Sequence, residues 1–278
     1  MRTIELVSGI SSSALGFGCA PILGSVDATT AQRALDCALD HGITHFDLAR
    51  SYGYGQAEHF VGKSIVGRRD KVVLASKFGI KANWKASFLR PLKPLVRLIK
   101  DKQKKEGKLV TNTANNPNSI ADHFHDRIPL HSNTMRSSLE QSLRALGTDY
   151  LDYFFVHEPL QTLDYIDELS DTAQRLKEEG KIKAWGLAFA RSQERLHQTY
   201  LNRFDILQFD NAFGASGYDK TVKERGKEPN IFFSPLRGGK VGVTPQEKLG
   251  KLFEDFPQSV ILCSMFNERH IKENIKLV

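Results

Sequence analysis

Eight short apolar runs recur along the chain, each followed by a longer stretch that in most cases is amphipathic. SALGFG (13–18) precedes TTAQRALDCALDHG (29–42), and THFDLA (44–49) precedes QAEHFVGKSI (56–65). KVVLASKF (71–78) is separated by a long interruption from NTMRSSLEQSLRALG (133–147). YLDYFFVHE (150–158) leads to LDYIDELSDTAQRLKEEG (163–180), and IKAWGLAFA (182–190) to SQERLHQTYLNR (192–203). DILQFD (205–210), IFFSPL (231–236) with PQEKLGKLFEDF (245–256), and SVILCSM (259–265) with NERHIKENIKL (267–277) complete the set. Near-continuous apolar runs suit strands covered on both faces, as in a parallel sheet. Leu139, Leu143 and Leu146 step by four and three, as one helix face requires. Gly42, Gly147 and Gly180 close helical stretches where a left-handed cap is easy. Eight parallel units close into a (β/α)₈ TIM barrel more readily than they spread into an open sheet. RTIELVSGISSSALGFG leaves room for a hairpin before the first barrel strand. No repeat or flexible linker divides the 278 residues, so 1–278 reads as one domain, with an insertion at 80–132 after the third strand.

Composition removes several function classes. No apolar run approaches the ~20 residues of a membrane span, and the N-terminus has no continuous apolar core of a signal peptide. Cys19, Cys37 and Cys263 are odd in number and widely spaced, which predicts reduced core thiols in a cytoplasmic protein and neither disulfides nor a zinc site. His123 and His125 have no Cys or acidic cluster beside them, so no metal is expected. The formal charge is +7, but residues 81–110 hold ten Lys/Arg against Asp101 and Glu106. That segment carries +8 and the rest −1, so no general affinity for nucleic acid follows.

In such a barrel the chemistry collects at the C-terminal ends of the strands. Asp47, Lys77 and His157 stand at the ends of the second, third and fourth runs, and two phenols, Tyr52 and Tyr54, follow Asp47 in FDLARSYGYGQ (46–56). An acid, an amine, an imidazole and a phenol converging on one mouth would suit proton transfer to a reacting oxygen.

These segments resemble the aldo-keto reductase family. FDLARSYG (46–53) is similar to its Phe-Asp-x-Ala-x-x-Tyr-Gly segment, ASKFG (75–79) to its lysine strand, and SLEQSLRALGTDYLDYFFVHEP (138–159) to its helix–strand block ending in His-x-Pro. The resemblance runs nearly end to end. It implies a catalytic set of Asp47, Tyr52, Lys77 and His157, with Tyr52 as general acid/base and Tyr54 as a wall of the site. In that set Lys77 would lower the phenol's pKa, Asp47 would hold Lys77, and His157 would position the carbonyl. The implied activity is hydride transfer between NADP (or NAD) and a small-molecule aldehyde, ketone or alcohol. Implied cofactor contacts are Gln208 at the carboxamide, Phe233 stacked on the nicotinamide, Ser234 and Leu236 near the pyrophosphate, and Glu273 and Asn274 on the adenine side.

Two departures from the family pattern stand out. Where the family has Gly-x-Ser-Asn after the fifth strand, this chain has Gly186-Leu187-Ala188-Phe189. Two hydrogen bonds, each worth roughly 0.5–1.5 kcal/mol, would be missing and an aromatic would fill the space. After the eighth strand, Ser264-Met265-Phe266-Asn267 replaces the Lys or Arg usual for the 2′-phosphate, leaving Arg269 and His270 as the nearest basic groups. In the insertion, 88–105 sets Phe88, Leu92, Leu95 and Ile99 against Arg90, Lys93, Arg97, Lys100 and Lys104. This basic amphipathic pattern reads as a lid over the mouth, with contact to a membrane surface or an acidic partner as the alternative. For the whole chain the alternatives are a non-catalytic nucleotide-binding sensor or regulatory subunit, and a biosynthetic enzyme that returns the hydride. The complete four-residue set argues for the oxidoreductase.

Overall fold

A computed structural model describes residues 1–89 and 122–278. An antiparallel hairpin comes first, β1 (Thr3–Val7) with β2 (Ile10–Ser13). Eight parallel strands then close into a barrel: β3 (Leu15–Gly18), β4 (His45–Asp47), β5 (Val73–Phe78), β8 (Leu151–His157), β9 (Ile182–Phe189), β10 (Ile206–Asp210), β11 (Ile231–Phe233) and β12 (Val260–Cys263). Each pairs with its neighbours in chain order, and β12 closes the ring by pairing Ile261, Leu262 and Cys263 with Leu15, Gly16 and Phe17. The core cluster runs unbroken from the hairpin's Ile4 and Leu6 to Ile271 near the C-terminus. The hairpin meets the barrel at the strands' N-terminal ends, where the Ser13 hydroxyl accepts from the Thr44 N–H and donates to the Leu15 carbonyl.

Local signals explain the helix ends. Asp27 caps Ala28–Asp40 through the Thr30 N–H, and Thr244 with Glu247 forms a capping box before Pro245–Asp255. Gly42, Gly147 and Gly180 are left-handed, as their positions after helical runs predict.

Two crossings differ from expectation. Residues 192–203, read as a helix, form two 3₁₀ segments, Arg191–Leu196 and Gln198–Arg203, that meet at the buried His197. The His197 ring bonds the Tyr200 hydroxyl there, so a local contact replaces continuous helix. After β10 an eight-residue helix, Tyr218–Arg225, follows Gly217 and carries little apolar sequence.

The insertion begins and ends on a short antiparallel pair, β6 (Ile80–Ala82) with β7 (His125–Arg127). The basic amphipathic pattern at 88–105 lies, beyond the end of the helix Trp84–Leu89, outside the described residues. The three cysteines are free and buried. Among the described residues no helix is long and apolar enough to cross a membrane, and no group of side chains could hold a metal.

Candidate active site

β4 and β5 are neighbours, so Asp47 at the end of one strand and Lys77 near the end of the other face each other across the barrel mouth. The Lys77 ammonium spends its three N–H bonds there: on the Asp47 carboxylate (2.6 Å), the Leu48 carbonyl (2.8 Å) and the Tyr52 hydroxyl (3.1 Å). Tyr52 reaches it because the chain turns sharply after β4 into the segment Tyr52–Gly55. Gly53 takes a φ of 59°, and a Cβ there would lie 2.4 Å from the Ile22 carbonyl oxygen, so only glycine fits. Tyr54 also has a left-handed backbone and packs its ring edge-on with Phe124. His157 ends β8 and sets its ring nearly perpendicular to that of Tyr52, centroids 6.0 Å apart.

Electrostatics in this cluster depart from the sequence reading in one respect. Burial pushes the Tyr52 phenol up to about 12, and the Lys77 ammonium pulls against that without overcoming it. The expected lowering therefore does not occur: taking the phenolate out of water costs more than one ammonium, already shared with Asp47, returns. For Lys77, burial works to lower the pKa, but attraction from Asp47 and Tyr52 and its hydrogen bonds to both outweigh it, so the amine stays protonated. His157 is held well below its ordinary value, first by burial and then by the positive charges of Lys77 and Arg127, so its imidazole is neutral near pH 7.

A cavity of about 490 Å³ opens beside these groups. Asp47, Tyr52, Lys77, His157, Gln208, Phe233, Ser234, Leu236 and Asn274 all line it, from seven separate stretches of the chain. Gln208 donates from Nε2 to Asp47 (2.8 Å), while its Oε1 is buried with no partner. A nicotinamide carboxamide offers the N–H that this oxygen lacks, and Phe233 supplies an aromatic face, so the cavity fits a nicotinamide dinucleotide. Ser234 sits in a left-handed turn closed by the Arg237 N–H to its carbonyl (3.0 Å), and Pro235, Leu236 and Arg237 continue along the groove.

Two residues expected to contact the cofactor do not line this cavity. Arg269 and Glu273 pair with each other at 3.6 Å and are not on the cavity wall. The reason is helical phase: His270 and Asn274, one step round the helix Glu268–Ile275, take the wall positions. The fifth-strand departure also reads differently in three dimensions. Ala188 faces the cavity, whereas Phe189 points away and stacks on Phe209 at 5.4 Å. Strand alternation sends 189 to the outer face, so the missing polar groups leave space that no aromatic fills. Gly186 is held small by packing, because a Cβ would come within 2.6 Å of the Phe155 ring.

Sequence reading missed Glu158, Arg237 and Gln246 on the cavity wall. Glu158 stands one residue past a singled-out histidine, and Arg237 one past Leu236; closeness to those positions was the available signal.

Comparisons with known proteins point to one family. The profile of the Aldo/keto reductase family matches residues 14–214. The chain is 31% identical over 187 residues to "Aldo-keto reductase YhdN" of Bacillus subtilis (strain 168), covering 65% of this chain and 44% of that protein. It is 27% identical over 251 residues to "6-dehydroglucose reductase" of Agrobacterium fabrum, covering 86% and 73%. Against several of its curated relatives the chain spans only about half of their length. Among solved structures, an aldo-keto reductase from Klebsiella pneumoniae in complex with NADPH superposes with a TM-score of 0.67 at 20% identity, over 99% of this chain and 89% of that one.

Proposed function

The chain belongs to the aldo/keto reductase family, and from that premise we propose that it is an NADP-dependent oxidoreductase acting on a small-molecule aldehyde, ketone or alcohol. The observation that most supports this is the Lys77 ammonium in contact with both Asp47 and the Tyr52 hydroxyl on the wall of a cavity fitted to a dinucleotide. NADP is favoured over NAD by the NADPH bound to the Klebsiella protein.

When bound, the nicotinamide supplies the hydride. The chain's own residues handle the oxygen. His157, neutral and on the cavity wall with its ring against that of Tyr52, would hydrogen-bond the carbonyl oxygen and fix its direction. As the carbonyl carbon is reduced, negative charge grows on that oxygen, and Tyr52 gives up its proton to it. A phenol pushed up to about 12 remains protonated throughout the neutral range. The transfer is therefore driven by the strong basicity of the alkoxide and not by a phenol already acidic. Lys77, held by Asp47, stabilises the phenolate that remains. Gln208 fixes Asp47 through Nε2 and offers Oε1 to the carboxamide.

The test is titration with NADPH and NADH, followed by turnover on a panel of aldehydes, with Tyr52→Phe alongside. Tyr52→Phe should lower kcat about 10²–10⁴-fold while leaving NADPH affinity nearly unchanged. Binding of neither dinucleotide would sink the proposal. Tight NADPH binding with no turnover of any carbonyl or alcohol would favour the non-catalytic sensor.

A further inference from the structure

Among the described residues, the barrel mouth holds more than one cavity. Beside the inner one lies an outer cavity of about 940 Å³, bounded by Ser51, Tyr54, Ile80, Arg127 and Leu160 among others. Four residues line both: Ala20, Tyr52, His157 and Glu158. Their overlap is where a substrate carbonyl would meet the nicotinamide. Tyr52 and His157 already have work there, whereas Glu158 is a carboxyl that the proton-transfer arrangement does not require.

Glu158 is also held in an unusual way. Its φ is 42°, a left-handed conformation that disfavours any residue but glycine or asparagine. The backbone is pinned from both sides: its N–H donates to the Ala188 carbonyl at 2.7 Å, and its carbonyl accepts from Arg127 Nη1 at 2.6 Å. Glu158 lines both cavities, and its carboxylate is close enough to Tyr52 and Lys77 to act on them electrostatically. The carboxyl forms no hydrogen bond or ion pair with any described residue, and Arg127 bonds the backbone of Glu158 in place of its carboxylate. Burial raises the Glu158 pKa and Asp210 adds to the rise, with Lys77, Arg127 and Arg237 opposing. A strained position occupied by an unpaired acid at the reacting junction points to a role in function.

An unpaired carboxylate there is an acceptor that lacks a donor. Lys77, Arg127 and Arg237 close by disfavour a further positive charge, so a neutral hydroxyl is the donor that fits. We propose that Glu158 determines specificity by accepting a hydrogen bond from a hydroxyl on the carbon next to the substrate carbonyl, so that α-hydroxy aldehydes and ketones are preferred and 2-oxo acids rejected. This rests on the oxidoreductase reading above. Tyr52 and His157 hold the carbonyl oxygen, and the residue directly after His157 reads the group one carbon away.

The experiment compares kcat/KM for glycolaldehyde, methoxyacetaldehyde and glyoxylate in the wild type, Glu158→Gln and Glu158→Gly. Methoxyacetaldehyde keeps the electron-withdrawing oxygen but cannot donate. Glycine takes the left-handed backbone without steric cost, so that variant separates the carboxyl from the strain. The wild type should favour glycolaldehyde over methoxyacetaldehyde by roughly tenfold or more, the size of a hydrogen bond to a charged group. Glu158→Gly should bring that ratio close to one, mainly through KM, and Glu158→Gln, which keeps an acceptor, should retain part of it. A purely structural role would lower all rates together and leave the ratio intact. Equal use of the two aldehydes by the wild type, a ratio unmoved in Glu158→Gly, or preference for glyoxylate, which would give the role to Arg127, overturns the proposal. Failure to turn over any of the three compounds by an enzyme that reduces other aldehydes of the panel overturns this proposal and leaves the oxidoreductase reading standing; failure on the whole panel sinks both.

Discussion

His45 and Asp47 are two residues apart on β4, both buried, and on the same inward face of the strand. They nevertheless belong to opposite kinds of polar site. Near the N-terminal end, His45 stacks on Tyr153 with centroids 5.7 Å apart, and its Nδ1 meets the Ser12 hydroxyl at 3.0 Å. His45 lines neither the inner nor the outer cavity of the mouth, and burial discharges the ring by pushing its pKa down to about 4. At the mouth, Asp47 answers burial by pairing, with Lys77 on one oxygen and Gln208 on the other. Within this strand, His45 gives up charge to tolerate burial, while Asp47 retains charge by matching it around open space. Burial of polar groups alone therefore does not mark a functional site in this fold; charge preserved beside a cavity does.

The largest test of that contrast is Lys77→Met. It leaves the Asp47 carboxylate buried with Gln208 as its remaining side-chain partner. Removing one member of a buried pair costs about 3–5 kcal/mol, and the low end is expected because Asp47 borders the cavity. Urea unfolding should show a loss of about 3 kcal/mol, and turnover should fall at least ~10²-fold with it, since the phenolate loses its ammonium. If stability is unchanged, the mouth is not holding charge by pairing and the contrast fails.

Much of this arrangement was legible in the sequence, for identifiable reasons. The eight barrel strands could be read because strands buried on both faces need apolar residues at successive positions, as in LDYFFVH. Asp47, Lys77 and His157 could be read because each is a polar residue closing such a run. The helix Tyr218–Arg225 could not, because it buries only Tyr218 and Thr221 and has no apolar stripe. The bond from Gln208 to Asp47 spans 161 positions, which no local pattern records. The rise in the Tyr52 pKa was misjudged because the charge of Lys77 is visible in a sequence whereas the desolvation opposing it is not. Which of Arg269, His270, Glu273 and Asn274 would line the cavity could not be read, because helix phase at a chain terminus is not fixed by a resemblance or by spacing alone.

A second test uses acid. In the unfolded chain His45 binds a proton near 6.5, whereas the folded protein refuses it until about 4. The unfolded state therefore holds more protons between these values, and acid favours unfolding there. The stability tied to His45 is complete above pH 6.5, declines as the pH falls toward 4, and changes no further below that. At about 1.4 kcal/mol per pH unit the loss is roughly 3 kcal/mol. In His45→Leu the difference in unfolding free energy between pH 7 and pH 4 should shrink by about that amount. Part of the slope should survive, because His157 is also held neutral by burial. An unaltered slope in the variant would mean that the inner site is not discharged and would erase the contrast with the mouth.

The smallest effect is expected at the partner of that histidine. Ser12 Oγ lies 3.0 Å from His45 Nδ1 and 3.3 Å from the Ser13 carbonyl, while His45 Nε2 is buried without a partner. The serine has one hydroxyl hydrogen. If it goes to the Ser13 carbonyl, Nδ1 carries the ring proton and donates to Ser12, so the orphaned Nε2 is only an acceptor. The opposite assignment would orphan a buried N–H, which folded proteins rarely tolerate. Ser12→Ala therefore strands the Nδ1 proton, at a cost of about 1–2 kcal/mol near pH 7. Because Ser12 is remote from the cavity, kcat/KM should change by less than roughly twofold. The same substitution in the His45→Leu background should cost close to nothing, and the difference between the two backgrounds measures the pair directly. A cost that persists without the histidine would show that Ser12 acts through the hairpin's own packing and that the inner site is not a hydrogen-bonded pair.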